Sequence, residues 1–287
     1  KKTPTRYTVK KMDKFNSRRS EFSPMLYGSN FDQLYFASSR TKDKESKISA
    51  ITGLGNNNFY LAKKNEKGEW LAPEEIEDEV NTEFDEGTPS FSADGRSMYY
   101  TYCSQDPESS RTAEIYVSSR SNAKWGKGVK VQLLKDSVTT LAHPSISPDG
   151  KYLFFVSDAM GGYGGKDIYR ARAIGNDFGP IENLGPQINT EGDEVFPYVR
   201  DSVTLYFASD GHPGMGGLDL YKATRTPDGK WAIENMQTPI NSAADDFGIT
   251  FAGTKETGFF SSNRNDARGN DHLFSFDLPS ITVQIEG

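Results

Sequence analysis

Cysteine occurs once in the 287 residues, at Cys103, so no disulfide can form within the chain. That thiol sits in the apolar run from Tyr99 to Cys103, which fits a buried, inert side chain rather than a nucleophile. No apolar run approaches the roughly 18 residues that a membrane-spanning helix needs. No stretch carries the apolar period of a surface helix. There is no hydrophobic leader core; the chain starts at Lys1, so this says nothing about export. The nucleophile elbow Gly-x-Ser-x-Gly is missing, which argues against a serine hydrolase of that type. Histidine is scarce: His143, His212 and His272 fall in different parts of the chain without ligand spacing, so no metal site is expected from them. The glycine-rich runs, such as 161–165 ahead of Lys166 and Asp167, are followed by no helix and are not phosphate loops. They also lack the tandem period of calcium-binding β-rolls. Asp167, Asp219 and Asp271 close three such runs, where holding glycine amides is the expected task. No catalytic residue and no cofactor are expected.

Net positive charge is lacking as well. The chain carries −7 overall, and residues 1–19 hold eight Lys/Arg and one Asp, giving +7, so residues 20–287 carry −14. An acidic body argues against a nucleic-acid or anionic-membrane surface. The basic start reads as charge that blunts an outer edge strand, with an acidic partner as the alternative.

What is present is repetition. The clearest copy runs from Ile188 to Ala223. An acidic turn (Glu191 to Glu194) leads into a short run around Pro197. A dense aromatic stretch, Leu205 to Ser209, follows, then a glycine-rich turn ending at Asp219, then Leu220 to Ala223. After a Pro-Asp-Gly turn, Trp231 opens another run. This is a four-stranded antiparallel meander joined by tight turns. Related copies start near residues 20, 83, 141, 191 and 243. Their prolines at 24, 89, 144 and 197, with Gly248 in the corresponding place, are spaced by 65, 55, 53 and 51 residues. Units of roughly 40 to 50 residues built this way are propeller blades. The expected fold is therefore all-β: a five-bladed β-propeller over residues 1–278. The fifth copy lacks its last strand, because Pro279 follows Leu278. The segment from Tyr7 to Ser17 has a spare one, and Phe15-Asn16-Ser17 matches Val80-Asn81-Thr82, Ile188-Asn189-Thr190 and Ile240-Asn241-Ser242. The N-terminal segment is expected to close the ring.

Connectivity alone sorts the loops. In an up-and-down blade with strands A to D counted outward, the A–B and C–D turns share one face and the D–A and B–C loops share the other. Asp94-Gly95, Asp149-Gly150, Lys67-Gly68 and Asp228-Gly229 fall on the first face. The acidic turns and glycine-rich loops fall on the second. The acids that lead into strand A, namely Glu21, Asp85, Glu86, Asp193, Glu194, Asp245 and Asp246, are expected to ring the mouth of the central channel. A site for cations is one reading; carboxylates that accept backbone N–H bonds from the adjacent blade's loop is the other. Recurrence in nearly every blade favours the structural role. The third blade departs, with Leu141-Ala142-His143 in that place. Departures from the repeat are the better candidates for a partner-binding face: His143, Tyr163, His212 and Met215, together with the long loop Thr41–Asn57.

The repeated Ser-x-Asp-Gly-x-x-Leu-Tyr-Phe-x-Ser pattern, followed by Gly-Gly-x-Asp-Ile/Leu-Tyr, resembles the WD40-like (PD40) β-propeller repeats also found in TolB. With Asn183 to Thr190, Asn-Leu-Gly-Pro-x-Ile-Asn-Thr, it is similar more narrowly to propellers of Bacteroidetes OmpA-family envelope lipoproteins. That resemblance implies a periplasmic, outer-membrane-associated module of the type IX secretion machinery. Its partners would be other envelope or secretion-system proteins, and peptidoglycan only through a neighbouring domain. Residues 279–287 would then be a linker and the first strand of a further β-sandwich domain. A non-catalytic scaffold is the expected function; a propeller enzyme acting on carbohydrate or peptide at the acidic loop-rich face is the alternative.

Overall fold

The computed structural model describes residues 4–40, 55–104, 113–136 and 138–279. The expected tail strand, and residues 41–54 of the long loop, lie outside them. The chain first forms a short strand, β1 (Thr8–Lys11), and then builds five antiparallel sheets in order. Blade 1 comprises β2 (Glu21–Tyr27), β3 (Gln33–Ser38), β4 (Asn58–Lys63) and β5 (Glu74–Glu75). Blade 2 comprises β6 (Asp85–Phe91), β7 (Ser97–Cys103), β8 (Glu114–Ser121) and an outer strand split into β9 (Lys124–Trp125) and β10 (Val129–Lys130). Blade 3 comprises β11 (Leu141–Ile146), β12 (Tyr152–Ser157), β13 (Asp167–Ile174) and β14 (Asp177–Asn183). Blade 4 comprises β15 (Glu194–Val199), β16 (Thr204–Ser209), β17 (Asp219–Arg225) and β18 (Trp231–Asn235). Blade 5 comprises β19 (Asp246–Phe251), β20 (Thr257–Ser262) and β21 (His272–Asp277), and its outer strand is β1. The pairing runs from Thr8 opposite Asp277 to Lys11 opposite Phe274, so the ring closes as the repeat count requires.

Burial follows position in the blade. Strands B and C are covered by neighbouring blades on both faces, so they read as unbroken apolar runs: Leu205, Tyr206, Phe207 and Ala208 are each at most 1% exposed. Outer strands have one covered face and alternate, as in β18. Four apolar clusters fill the spaces between blades. The cluster between blades 5 and 1 is sealed by Phe15, fully buried, whose ring lies 5.6 Å from Trp70 and 5.9 Å from Phe259.

Each innermost strand carries a register shift at the same place. Ser23, Thr88, His143, Phe196 and Gly248 occupy it, with φ of 52°, 53°, 50°, 52° and 59°. For the four non-glycine residues this is strained backbone, held by the bulge and by the blades on either side. The next residue narrows the central channel: Pro24, Pro89, Pro144, Pro197 and Ile249 surround a waist of only about 30 Å³. The fifth blade thus differs by one residue from the expected alignment. Ile249 stands in the proline's place, and Gly248 stands where the positive φ falls.

Candidate functional site

Of the residues singled out from the sequence, the acids, Tyr163, His212 and Met215 lie at the D–A and B–C loops, whereas His143 lies at the channel waist. The repeated Asn comes first. Asn189 accepts the Ile168 N–H at 2.8 Å and donates to the Ile168 carbonyl at 3.0 Å. Asn241 does the same with Leu220, at 2.8 Å in both directions. Asn81 pairs with Phe59 at 2.8 and 3.1 Å, and Asn16 with Leu273 at 2.7 and 2.9 Å. One side-chain amide therefore stands in for a strand residue beside strand C. The apolar residue before it, Phe15, Val80, Ile188 or Ile240, is fully buried. The Ile-Asn-Thr signature is thus a device of the blade itself.

The acids divide into two sets. Glu21, Glu86, Glu194 and Asp246 are at most 1% exposed and bind their own turn. Glu194 accepts the Thr190 N–H at 2.7 Å and the Thr190 hydroxyl at 2.6 Å. Glu21 accepts the Ser17 N–H at 2.8 Å and its hydroxyl at 2.6 Å, and Asp246 accepts both from Ser242 at 2.6 and 2.9 Å. Asp85, Asp193 and Asp245 instead hold the previous blade's B–C loop. They accept the N–H groups of Asn57, Lys166 and Leu218 at 2.8, 2.8 and 2.9 Å. In blade 1 Ser20 takes this place and accepts the Asp271 N–H at 3.2 Å. Backbone completes each of the five junctions: Glu21, Glu86, Leu141, Glu194 and Asp246 donate N–H bonds of 2.7–3.1 Å to Asp271, Asn57, Ala113, Lys166 and Leu218. The first set is therefore packed inside the turns and does not line an open mouth.

The glycine loops have the same logic. Asp167 accepts the Tyr163 and Gly164 N–H groups at 2.6 and 3.2 Å, and Asp219 accepts that of Met215. A Cβ on Gly164 would stand 2.3 Å from the Thr190 carbonyl, and one on Gly216 would stand 2.1 Å from that of Ala244, so the loop backbone rests directly on the next blade. In blade 5 the register puts His272 opposite Ser262, as Asp167 is opposite Ser157 and Asp219 opposite Ser209. His272, and not Asp271, is therefore the counterpart of those aspartates. It is 1% exposed and its Nε2 lies 2.8 Å from Asp266.

His143 and His212, expected on the partner face, are held within the fold. His143 lies in the channel wall, its ring stacked on Phe196 at 3.9 Å, with Nδ1 accepting the Phe196 N–H at 3.3 Å. Burial, with Lys166 adding to it, pushes its pKa down to about 3, so the ring is neutral at pH 7. His212 Nε2 donates to the Ile188 carbonyl at 2.8 Å, and its ring packs against Phe207 and Tyr221. Arg40 and Arg264 make the equivalent bond to Phe15 and Ile240. Met215 is half-buried and Tyr163 is 48% exposed. The sequence reading passed over two residues on the same face: Met160, fully exposed, and Val138, 65% exposed. Their signal was available, since an apolar residue beside a glycine run or in a polar connection has no core to enter. The Thr140 N–H bonds Asp158 at 2.7 Å, which ties the two segments together.

Among the acids that bind their own turn, one is left short of partners. The residue opposite Glu21 and Glu194 in the ladder is Ser38 or Ser209, and each donates a hydroxyl to the carboxylate, at 3.0 and 2.6 Å. Opposite Glu86 stands Tyr102, and Glu86 Oε2 has no hydrogen-bond partner among the described residues. Burial pushes this carboxyl up to about 8, against the opposing pull of the Thr82 hydrogen bonds. Glu86 therefore holds its proton more tightly folded than unfolded. Its contribution to stability is complete below about pH 4.5 and is lost as pH rises through about 8. Glu86→Gln is expected to flatten that dependence. At roughly 1.4 kcal/mol per pH unit, the wild type loses at most about 5 kcal/mol across this window that the variant keeps. Thermal melts of both proteins from pH 5 to 9 test this; parallel curves would rule it out.

Fold and site together define a closed five-bladed β-propeller whose repeated polar residues bind blade to blade. No family model matches the chain, and no curated protein is significantly similar to it. Among solved structures it is similar to Zg3597, a family 117 glycoside hydrolase of Zobellia galactanivorans, at 14% identity and a TM-score of 0.59, over 96% of this chain and 90% of that one. It is also similar to the GH43 endo-arabinanase of Bacillus licheniformis, at 11% identity and a TM-score of 0.54, over 91% of this chain and 94% of that one. TolB of Acinetobacter baumannii is a further neighbour, at 19% identity and a TM-score of 0.49; the match covers 92% of this chain but 55% of that one. At these identities the likeness is one of fold.

Proposed function

We propose that this propeller is a non-catalytic protein-interaction module of a periplasmic, outer-membrane-associated protein of the PorE kind. It would serve the type IX secretion machinery and connect to peptidoglycan through a separate domain. The observation that carries the scaffold reading is the division of labour on the loop-rich face. The residues common to the blades are used up in turns and junctions, whereas apolar side chains peculiar to blade 3 stand in solvent there: Met160, Tyr163 at 48% and Val138 at 65% exposure. Exposed Met and Tyr suit protein contact. The envelope assignment rests on the resemblance of the repeat signature.

The competing reading, a carbohydrate-processing propeller, needs a raised carboxyl open to substrate. Glu86 and Asp246 are raised but at most 1% exposed, and half-buried Asp271, raised to about 6 by burial with Asp245 and Glu21 adding to it, is the carboxyl that reading would use. The test is capture from envelope extract by three folded proteins. The wild type and Asp149→Ala, on the opposite face, should retain the same partner. Met160→Asp with Tyr163→Asp should lose it by at least tenfold, the effect of about 1.4 kcal/mol. Loss with Asp149→Ala alone would place the contact on the other face.

A further inference from the structure

On the face opposite the loop-rich one the channel opens into a cavity. There the inner strands of all five blades diverge around a cavity of about 400 Å³, walled by Met25, Phe91, Ile146, Val199 and Phe251. Pockets for small ligands run from roughly 300 to 1,000 Å³ and are mostly apolar. The channel narrows at its bottom to the waist of about 30 Å³, so an occupant enters from the open face.

Its floor is lined by Met25, Ser90, Ser145 and Tyr198, the corresponding position of blades 1 to 4; Thr250, the counterpart in blade 5, is 1% exposed and is turned to blade 1. Ser90 Oγ accepts the Ile146 N–H and Ser145 Oγ accepts the Val199 N–H, each at 3.0 Å. Thr250 Oγ1 accepts the Leu26 N–H at 3.2 Å and donates to Met25 Sδ at 3.7 Å. The oxygens of Ser90 and Ser145 are thus occupied as acceptors. Among the described residues neither hydroxyl donates a hydrogen bond, although the side chains are 3% and 2% exposed. Two O–H donors therefore remain at the floor of an apolar cavity. The charged lining is already engaged. Arg200 bonds Glu256 at 2.7 Å, the Lys255 carbonyl at 3.0 Å and Tyr206 at 3.3 Å, and Asp201 accepts the Val203 N–H at 2.9 Å.

We propose that this cavity is a binding site for a neutral apolar group of about one aromatic side chain, carrying a hydrogen-bond acceptor and entering from the open face. An acceptor meets the spare serine donors. An anion would find no unpaired cation in the wall, since Arg200 is held by Glu256, and is excluded by desolvation. The site lies on the opposite face from the proposed partner contact and does not depend on it.

Titration of the intact protein with small probes tests the site, read from the NMR shifts of the Met25, Leu26, Ile146 and Val199 methyls. Acetophenone is expected to bind about tenfold more tightly than ethylbenzene, which lacks the acceptor, and at least tenfold more tightly than benzoate. Ala93→Trp with Thr254→Trp, both at exposed rim positions, should cap the cavity and weaken acetophenone by at least tenfold. Thr254→Trp alone serves if the pair does not fold. N-acetyl-phenylalaninamide separates the sources. If it binds as well as acetophenone, the natural occupant is the tip of a polypeptide; if only acetophenone binds, it is a free small molecule, and either result supports the site. No shift with any neutral probe, equal binding to the capped protein, or a preference for benzoate overturns it.

Discussion

Removing residues 1–19 should abolish the cooperative folded state, although the segment is short and sits at the edge of the ring. It supplies β1, the outer strand of blade 5. It supplies Phe15, fully buried between blades 5 and 1. Through Asn16 it pairs with both backbone groups of Leu273, and through Ser17 it caps Glu21. Without these groups the Leu273 amide and carbonyl lose their partners and two blades lose their shared core. A propeller opened at one junction also exposes unpaired strand edges. Phe15→Ala isolates the packing share of this effect. Its expected cost is about 3–5 kcal/mol, or roughly 6–20 °C in melting temperature for a chain near this size. Circular dichroism melts of the truncated protein and of Phe15→Ala test both statements. A truncated protein that melts like the full chain would show that the ring is closed by something else.

Asn241→Leu is expected to give the largest effect of any polar substitution on the loop-rich face. The amide is 0% exposed and satisfies both the N–H and the carbonyl of Leu220 at 2.8 Å. Leucine fills similar space but leaves both groups buried and unpaired, at about 1–3 kcal/mol each. Asn241→Asp should not rescue the loss. A carboxylate can accept from the Leu220 N–H but sets a second acceptor against the Leu220 carbonyl. Glu234→Ala, exposed on β18, is the control, with an expected change within about 0.5 kcal/mol. If Asn241→Leu unfolds in denaturant at the wild-type midpoint, the amide pairing is not what fastens the turn to strand C.

The blade count and the closure were legible in the sequence because the interactions behind them are local or recur at fixed spacing. The Thr190–Glu194 cap, the Ser147–Asp149 turn bond at 2.7 Å and the apolar runs of the middle strands each lie within a few residues. Their repetition leaves the same mark in every copy. The recurrence of the acids was legible for the same reason, but their split into two sets was not. Asp193 and Glu194 are neighbours in the chain, and only the geometry of the junction sends one to Lys166 and the other to Thr190. Connectivity alone puts His143 and His212 on the loop face. His212 does the work of Arg40 and Arg264 from a position one residue later, and a shift of that kind cannot be aligned without seeing which carbonyl the ring reaches.

The sequence by itself therefore determined the architecture: all-β, five blades, an N-terminal closing strand, and loops of two kinds on two faces. Tertiary structure alone decided what the channel is. Its waist is made by Pro24, Pro89, Pro144, Pro197 and Ile249, and the cavity beyond it by Met25, Phe91, Ile146, Val199 and Phe251. Each wall residue comes from a different copy, more than 50 positions from the next. The prolines mark the repeat, but nothing within one strand says that they meet at an axis. A cavity enclosed by five strands is a property of their convergence, and the width left at the axis depends on side chains that meet only when the ring has closed.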